Sequence, residues 1–219
     1  MQEMPPRWLG KTLLVAAIAL PMAIFATPDG AAAQPSGALT GFVTVRHQTD
    51  ARVANTVVWV EGVPREKIPA GKWNRSQHPR MDQKNIRFVP YVLPVVAGTT
   101  VDFPNDDPVF HNVYSASPVH KFDLGLYPQG TSRSTTFDKP GIVEIGCNTH
   151  AQMKGYVVVV PEPYFATPNE RGVYQLKDLP LGKYVIKVWN PDFAPVTTPF
   201  TLEKNGQVLN LDFDLGGEQ

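Results

Sequence analysis

Gly141-Ile142-Val143-Glu144-Ile145-Gly146-Cys147-Asn148-Thr149-His150-Ala151-Gln152-Met153-Lys154-Gly155-Tyr156-Val157-Val158-Val159-Val160 sets two β-type runs on either side of a short polar turn. The flanking residues are β-branched and aromatic, the side chains that fit a pleated, half-buried surface. The turn between them holds the only cysteine of the 219-residue chain, followed at intervals of three by His150 and Met153. A strand from Ile142 therefore ends at Cys147, and the chain turns back into a second strand reaching Val160. A thiol, an imidazole and a thioether are held on one tight loop.

Outward from this hairpin the chain reads as β from residue 38 onward. Runs of the same kind recur at Leu39 to Arg46, Val53 to Glu61, Tyr91 to Val96, Thr99 to Phe103, His111 to Ser115 and Ser132 to Phe137. They continue at Val173 to Leu176, Tyr184 to Trp189, Thr197 to Leu202 and Val208 to Phe213. No stretch sustains a helical period, and 22 prolines and 17 glycines punctuate the runs. That pattern predicts an all-β sandwich or barrel, not a parallel sheet with crossover helices. The segment from Pro64 to Lys84, with Pro69, Gly71, Pro79 and several charges, gives no strand signal and reads as a long connection.

His111 follows the turn-forming run Phe103-Pro104-Asn105-Asp106-Asp107-Pro108 and opens a different strand, from which it can close a site around the Cys147 loop. One thiolate, two imidazoles and one thioether make up the ligand set of a mononuclear blue-copper site. Cys147 would bind as thiolate, His111 and His150 as neutral imidazoles, and Met153 as the long, weak axial ligand. A lone cysteine cannot form an internal disulfide, so in an oxidising compartment it is exposed to oxidation unless buried or bound. The alternative is an inert thiol packed as a small hydrophobe. His47, His78 and His120 read as surface histidines among polar neighbours, and Met81 is a second thioether that nothing in the sequence places near Cys147.

The segment Val101-Asp102-Phe103-Pro104-Asn105 through His111-Asn112-Val113, then Gly141 to Met153, resembles the cupredoxins, and the two-residue gap between His150 and Met153 looks most like amicyanin. With Met81-Asp82-Gln83 and Phe122-Asp123-Leu124-Gly125, the wider pattern resembles exported plastocyanin/azurin-type proteins labelled methylamine utilisation proteins. The resemblance implies a copper cofactor at one type 1 site with His111, Cys147 and His150 equatorial and Met153 axial. It also implies that the Asn112 side chain ties the two ligand loops together; the alternative is an ordinary turn or strand-edge polar residue. The family often has a proline beside the second histidine, where this chain has Ala151, so loop stiffness and potential do not carry across. The exposed edge of His150 is the implied electron port.

The flanks resemble a second family. Gly41-Phe42-Val43 and Val57-Val58-Trp59-Val60, then Gly172 to Tyr184, look like the start and later half of a carboxypeptidase regulatory-like, prealbumin-type sandwich. The expected architecture is a cupredoxin Greek-key β-sandwich at 85–160, inserted in or packed against a discontinuous second sandwich of residues 34–63 plus 161–219. Residues 64–84 connect them. One extended sandwich is the alternative.

Lys+Arg and Asp+Glu both number 20, so no overall field calls for a nucleic acid or a membrane surface. At the amino end, Arg7 and Lys11 precede an apolar run from Leu13 to Ala26, and Ala31-Ala32-Ala33 offers small residues for a signal peptidase. Residues 1–33 read as an export signal, with periplasmic localisation and no membrane span once it is removed. An uncleaved anchor is the other reading, but Pro21 interrupts a run short of the ~20 residues that a spanning helix needs.

The expected function is a one-electron carrier acting with a redox protein partner. Two alternatives stay open: a copper carrier or storage protein, and a binding module whose metal site is vestigial. Catalysis is not expected. Multicopper oxidases and copper nitrite reductases need a further set of histidines, and this chain has 5 in all. A thioether is a poor zinc ligand, a Cys147–His150 nucleophile pair lacks an orienting group, and an iron-sulfur cluster lacks its cysteines.

Overall fold

Apolar runs between glycine and proline turns become strands throughout the computed structural model, which describes Met1 and residues 34–45, 53–73 and 77–216. The export segment and His47 lie outside the described residues. The chain opens with β1 (Ser36–Val45) and β2 (Val57–Glu61), then passes through two short 3-10 turns. Next come β3 (Asp82–Gln83), β4 (Phe88–Val89), β5 (Val92–Val96), β6 (Thr99–Pro104), β7 (His111–Ser115), β8 (Phe122–Tyr127), β9 (Ser132–Phe137), β10 (Gly141–Gly146) and β11 (Lys154–Val160). The carboxyl-terminal part holds β12 (Phe165–Ala166), β13 (Val173–Pro180), β14 (Gly182–Asn190), β15 (Phe193–Leu202), β16 (Val208–Asn210) and β17 (Phe213–Leu215).

The middle of the chain forms the sheet β5-β11-β10-β7-β8 and the pairs β6-β9 and β3-β4. The two ends of the chain form the sheet β13-β1-β16, with β17 also pairing β1, and the sheet β12-β2-β14-β15. The protein is thus all-β, as its residue pattern predicts. Residues 34–219 hold together as one compact unit.

Among the described residues the apolar side chains gather in separate clusters. One, built from Leu39 and Val43 of β1, Val58 and Val60 of β2 and Ile186 and Val188 of β14, joins the two terminal sheets. Another, with Val101, Phe103, Tyr127, Phe137, Val143, Ile145, Val157 and Val159, fills the middle part and contains Cys147 and Met153. A third lies between Val57 and Trp59 of β2 and Val92, Val158 and Val160 of β5 and β11.

Period-2 alternation explains the arrangement. Successive strand side chains point to opposite faces, so Val157 and Val159 enter the middle cluster while Val158 and Val160 enter the junction. The same rule splits Val58 and Val60 from Val57 and Trp59. Both strands are buried on both faces, which is why each is a continuous apolar run. Tyr156 and Trp189 meet edge-on across the junction at 5.3 Å between ring centroids.

Two elements depart from the sequence pattern. Phe122–Tyr127 is a strand although Asp123 and Gly125 interrupt it, because it pairs with β7 across a register shift between Asn112 and Tyr114. Residues 82–89 form a hairpin that begins inside the Pro64–Lys84 segment, which shows no strand signal. Gln83 holds it there. Its buried side-chain amide donates to the Phe103 and Pro104 carbonyls and to the Tyr127 hydroxyl. Burial pushes that hydroxyl up to about 12, so it stays protonated and donates onward to the Phe103 carbonyl. Met81 beside it is fully buried in the cluster that contains Cys147 and Met153, although its sequence neighbours suggest no such placement.

Candidate metal centre

Cys147 follows directly on β10, whose last residue, Gly146, pairs with Tyr114 of β7. A Cβ on Gly146 would lie 2.9 Å from the Tyr114 ring, so a larger residue here would require that ring to move. This pairing sets the Cys147 loop beside the start of β7, where His111 is fully buried opposite Tyr127. The Met153 N–H donates to the His150 carbonyl at 2.9 Å, which closes the turn and brings the thioether back into the core at 1% exposure.

One donor atom each from His111, Cys147 and His150 lies within 4.8 Å of the other two. The Cys147 Sγ is 3.9 Å from His111 Nδ1 and 3.8 Å from His150 Nδ1, and the two imidazole rings stand 4.9 Å apart between centroids. His150 is half-buried and its neighbours Asn148, Thr149, Ala151 and Gln152 are exposed, so this imidazole is the part of the cluster nearest solvent.

The chemistry of the donors tests which ion they fit. A thiolate and two imidazoles, with a thioether from the same loop in the buried cluster that also holds Cys147, make a soft donor set that suits copper, whereas a thioether is a poor zinc ligand. The residues fit copper.

The surrounding groups fix the donors. Asn112 is 4% exposed and bridges the two ligand loops. Its Oδ1 accepts from the Asn148 N–H at 3.3 Å and its Nδ2 donates to Asp123 Oδ1 at 2.6 Å. The Asn105 side chain, fully buried, donates to the Val109 and Tyr127 carbonyls and accepts from the Asp107 N–H, which shapes the loop leading to His111.

Asp107 is the group that the sequence does not single out. Its Oδ2 lies 2.8 Å from His111 Nε2. A carboxylate there accepts the Nε2 proton and leaves the Nδ1 lone pair facing Cys147, the tautomer that a metal ligand requires. Burial alone would raise the Asp107 carboxyl, but the Ile86 N–H, the His111 ring and the Asn85 N–H together outweigh it and hold the carboxyl below its usual range. The only legible signal is the four-residue spacing to His111, shared with nothing that separates Asp107 from Asp106.

The other described histidines, His78 and His120, are elsewhere. His78 is exposed beside the Asp102 carboxylate at 3.5 Å. His120 is half-buried: it packs on Phe122 and Phe137 at 5.1 and 4.8 Å between ring centroids, and its Nε2 meets Thr135 Oγ1 at 3.1 Å.

No protein-family model matches the chain, and no curated protein matches it by sequence. Among solved structures, a copper-containing nitrite reductase from Thermus scotoductus is 26% identical over 38% of this chain at a TM-score of 0.37; this chain spans only 22% of that enzyme's length. A purple cupredoxin from Nitrosopumilus maritimus is 25% identical, covering 37% of this chain and 96% of its own length, at a TM-score of 0.34. A reduced variant of amicyanin is 21% identical, covering 47% of this chain and 98% of its own length, at a TM-score of 0.36. Over part of its length, then, the chain is similar to cupredoxins.

Proposed function

We propose that this protein is an exported type 1 copper protein that carries single electrons, with His111, Cys147, His150 and Met153 as ligands. One observation supports this reading above the others: a buried thiol, 4% exposed, faces the Nδ1 atoms of two imidazoles at 3.8 and 3.9 Å. When bound there, copper supplies a one-electron couple whose two oxidation states share one ligand geometry. The chain's part is to hold that geometry. Asn112 and Asp107 each restrain a ligand loop or ring, and Met153 is locked by its turn.

Burial also argues for a carrier over a catalyst. His111, Cys147 and Met153 are covered, so a substrate has no open face of the donor set to reach, while an electron can pass through the half-buried ring of His150. Exposed apolar side chains lie near this end: Val109 and Phe110 adjoin His111 in the chain, and Leu126 sits opposite Asn112 in the β7–β8 register. A redox protein partner would dock there. Residues 34–63 and 161–219 are proposed to form a supporting sandwich, and periplasmic localisation rests on the export pattern of residues 1–33.

A copper carrier or storage protein would need the same donors on a loop that opens. The hydrogen bonds at Asn112 and the Met153 turn favour a closed one. The copper-loaded protein is therefore expected to give a reversible one-electron wave in voltammetry and to keep its metal against a mild chelator. Rapid loss of copper with no reversible wave would favour the rival.

A further inference from the structure

The turn that joins β3 to β4 contains a backbone outlier. Lys84 and Arg87 exchange both backbone hydrogen bonds around Asn85 and Ile86, and the two central residues have φ of 54° and 56°. That is a two-residue hairpin with both central residues left-handed, where asparagine followed by glycine is the usual pair. Asn85 suits its place. Ile86 does not, since a β-branched side chain at positive φ is costly, and it is also 37% exposed, so no core packing holds it there.

The strain has a visible use. The turn points two successive N–H groups at one carboxylate: Asn85 donates to Asp107 Oδ1, and Ile86 donates to Asp107 Oδ2 at 2.8 Å. The same Oδ2 meets His111 Nε2 at 2.8 Å. Asp107 is 4% exposed, so its charge is held by these donors and not by solvent. Outliers of this kind persist where the surroundings over-determine them, and they gather at functional sites.

We propose that Asp107 is a positioning residue that links the surface turn at Asn85–Ile86 to the His111 ligand, fixing that ring and favouring the oxidised metal. This rests on His111 being a copper ligand. A carboxylate on the outer nitrogen orients a ligating imidazole and makes it more basic, and a buried negative charge stabilises copper(II) over copper(I). The turn supplies the two donors that let the carboxylate stay charged and aimed at the ring.

The test compares copper-loaded wild type with Asp107→Asn, which keeps the side chain's shape and removes its charge. The expected result is a retained thiolate-to-copper colour, a reduction potential shifted upward, and a copper(II) affinity lower by roughly 10- to 100-fold. An unchanged potential and affinity in a variant that stays coloured would overturn the link while leaving the copper assignment intact. A wild type that takes up copper without colour would overturn both. If the variant does not fold, nitrogen-15 NMR of the copper(I)-loaded wild type decides. The link predicts a His111 Nε2 proton that exchanges slowly and shows contacts to the Asn85 and Ile86 amide protons; a freely exchanging proton without those contacts overturns it.

Discussion

Cys147→Ser is expected to lose the visible colour of the copper-loaded protein entirely. The colour comes from charge transfer out of a soft, covalent thiolate, and a serine hydroxyl is a hard donor that stays protonated near neutral pH. Two imidazoles and a thioether remain, so weak copper binding persists without the intense band. Copper affinity should fall by more than about 100-fold, because supporting residues alone are worth about 10- to 100-fold and Cys147 is proposed as a ligand. The site is buried, with Cys147 4% exposed. An unpaired hydroxyl there costs about 1–3 kcal/mol, so thermal unfolding of both metal-free proteins must accompany the spectra. A folded Cys147→Ser protein that is still blue would show that the thiolate is not a ligand.

The second large effect lies away from the metal. Val158 is 1% exposed on the face of β11 that meets Val57 and Trp59. Val158→Asp places a carboxylate among apolar side chains, one of the few single changes that cost about 4–5 kcal/mol or more. Against a total stability of about 5–15 kcal/mol, that is roughly a quarter or more of the whole. For a protein of this size the Tm should drop by roughly 10–20 °C, read by calorimetry on the metal-free protein. A drop of only a few degrees would mean that this face of β11 is open to water and that the junction cluster does not form in solution.

Much of this was legible in the residues. The strands from Thr99, His111, Ser132 and Lys154 announce themselves through β-branched and aromatic runs between turn residues, and that signal is local. Cys147, His150 and Met153 stand out because their spacing is short enough for one loop. What stayed hidden depends on contacts distant in sequence. The 82–89 hairpin mixes polar and apolar residues with no clear period, and it is anchored by contacts distant in sequence, the buried Gln83 amide reaching the carbonyls of β6 and Phe88 entering the core. Asp107 sits in a run of turn-forming residues where any carboxylate reads as solvated, and only the fold shows that it faces an imidazole. His120 becomes a half-buried ring because Phe122 and Phe137, from different strands, pack against it. The four-valine run of β11 is apolar at every position, yet its two faces serve different clusters, which alternation alone cannot reveal in a strand buried on both sides.

X-ray absorption at the copper edge bears most directly on the claim that side chains from two loops converge on a single ion. For residues 34–219 loaded with one equivalent of copper, the expected inner shell holds two nitrogen scatterers and one short sulfur, and the sulfur disappears in Cys147→Ser. A shell of nitrogen and oxygen alone in the wild type would contradict the assignment.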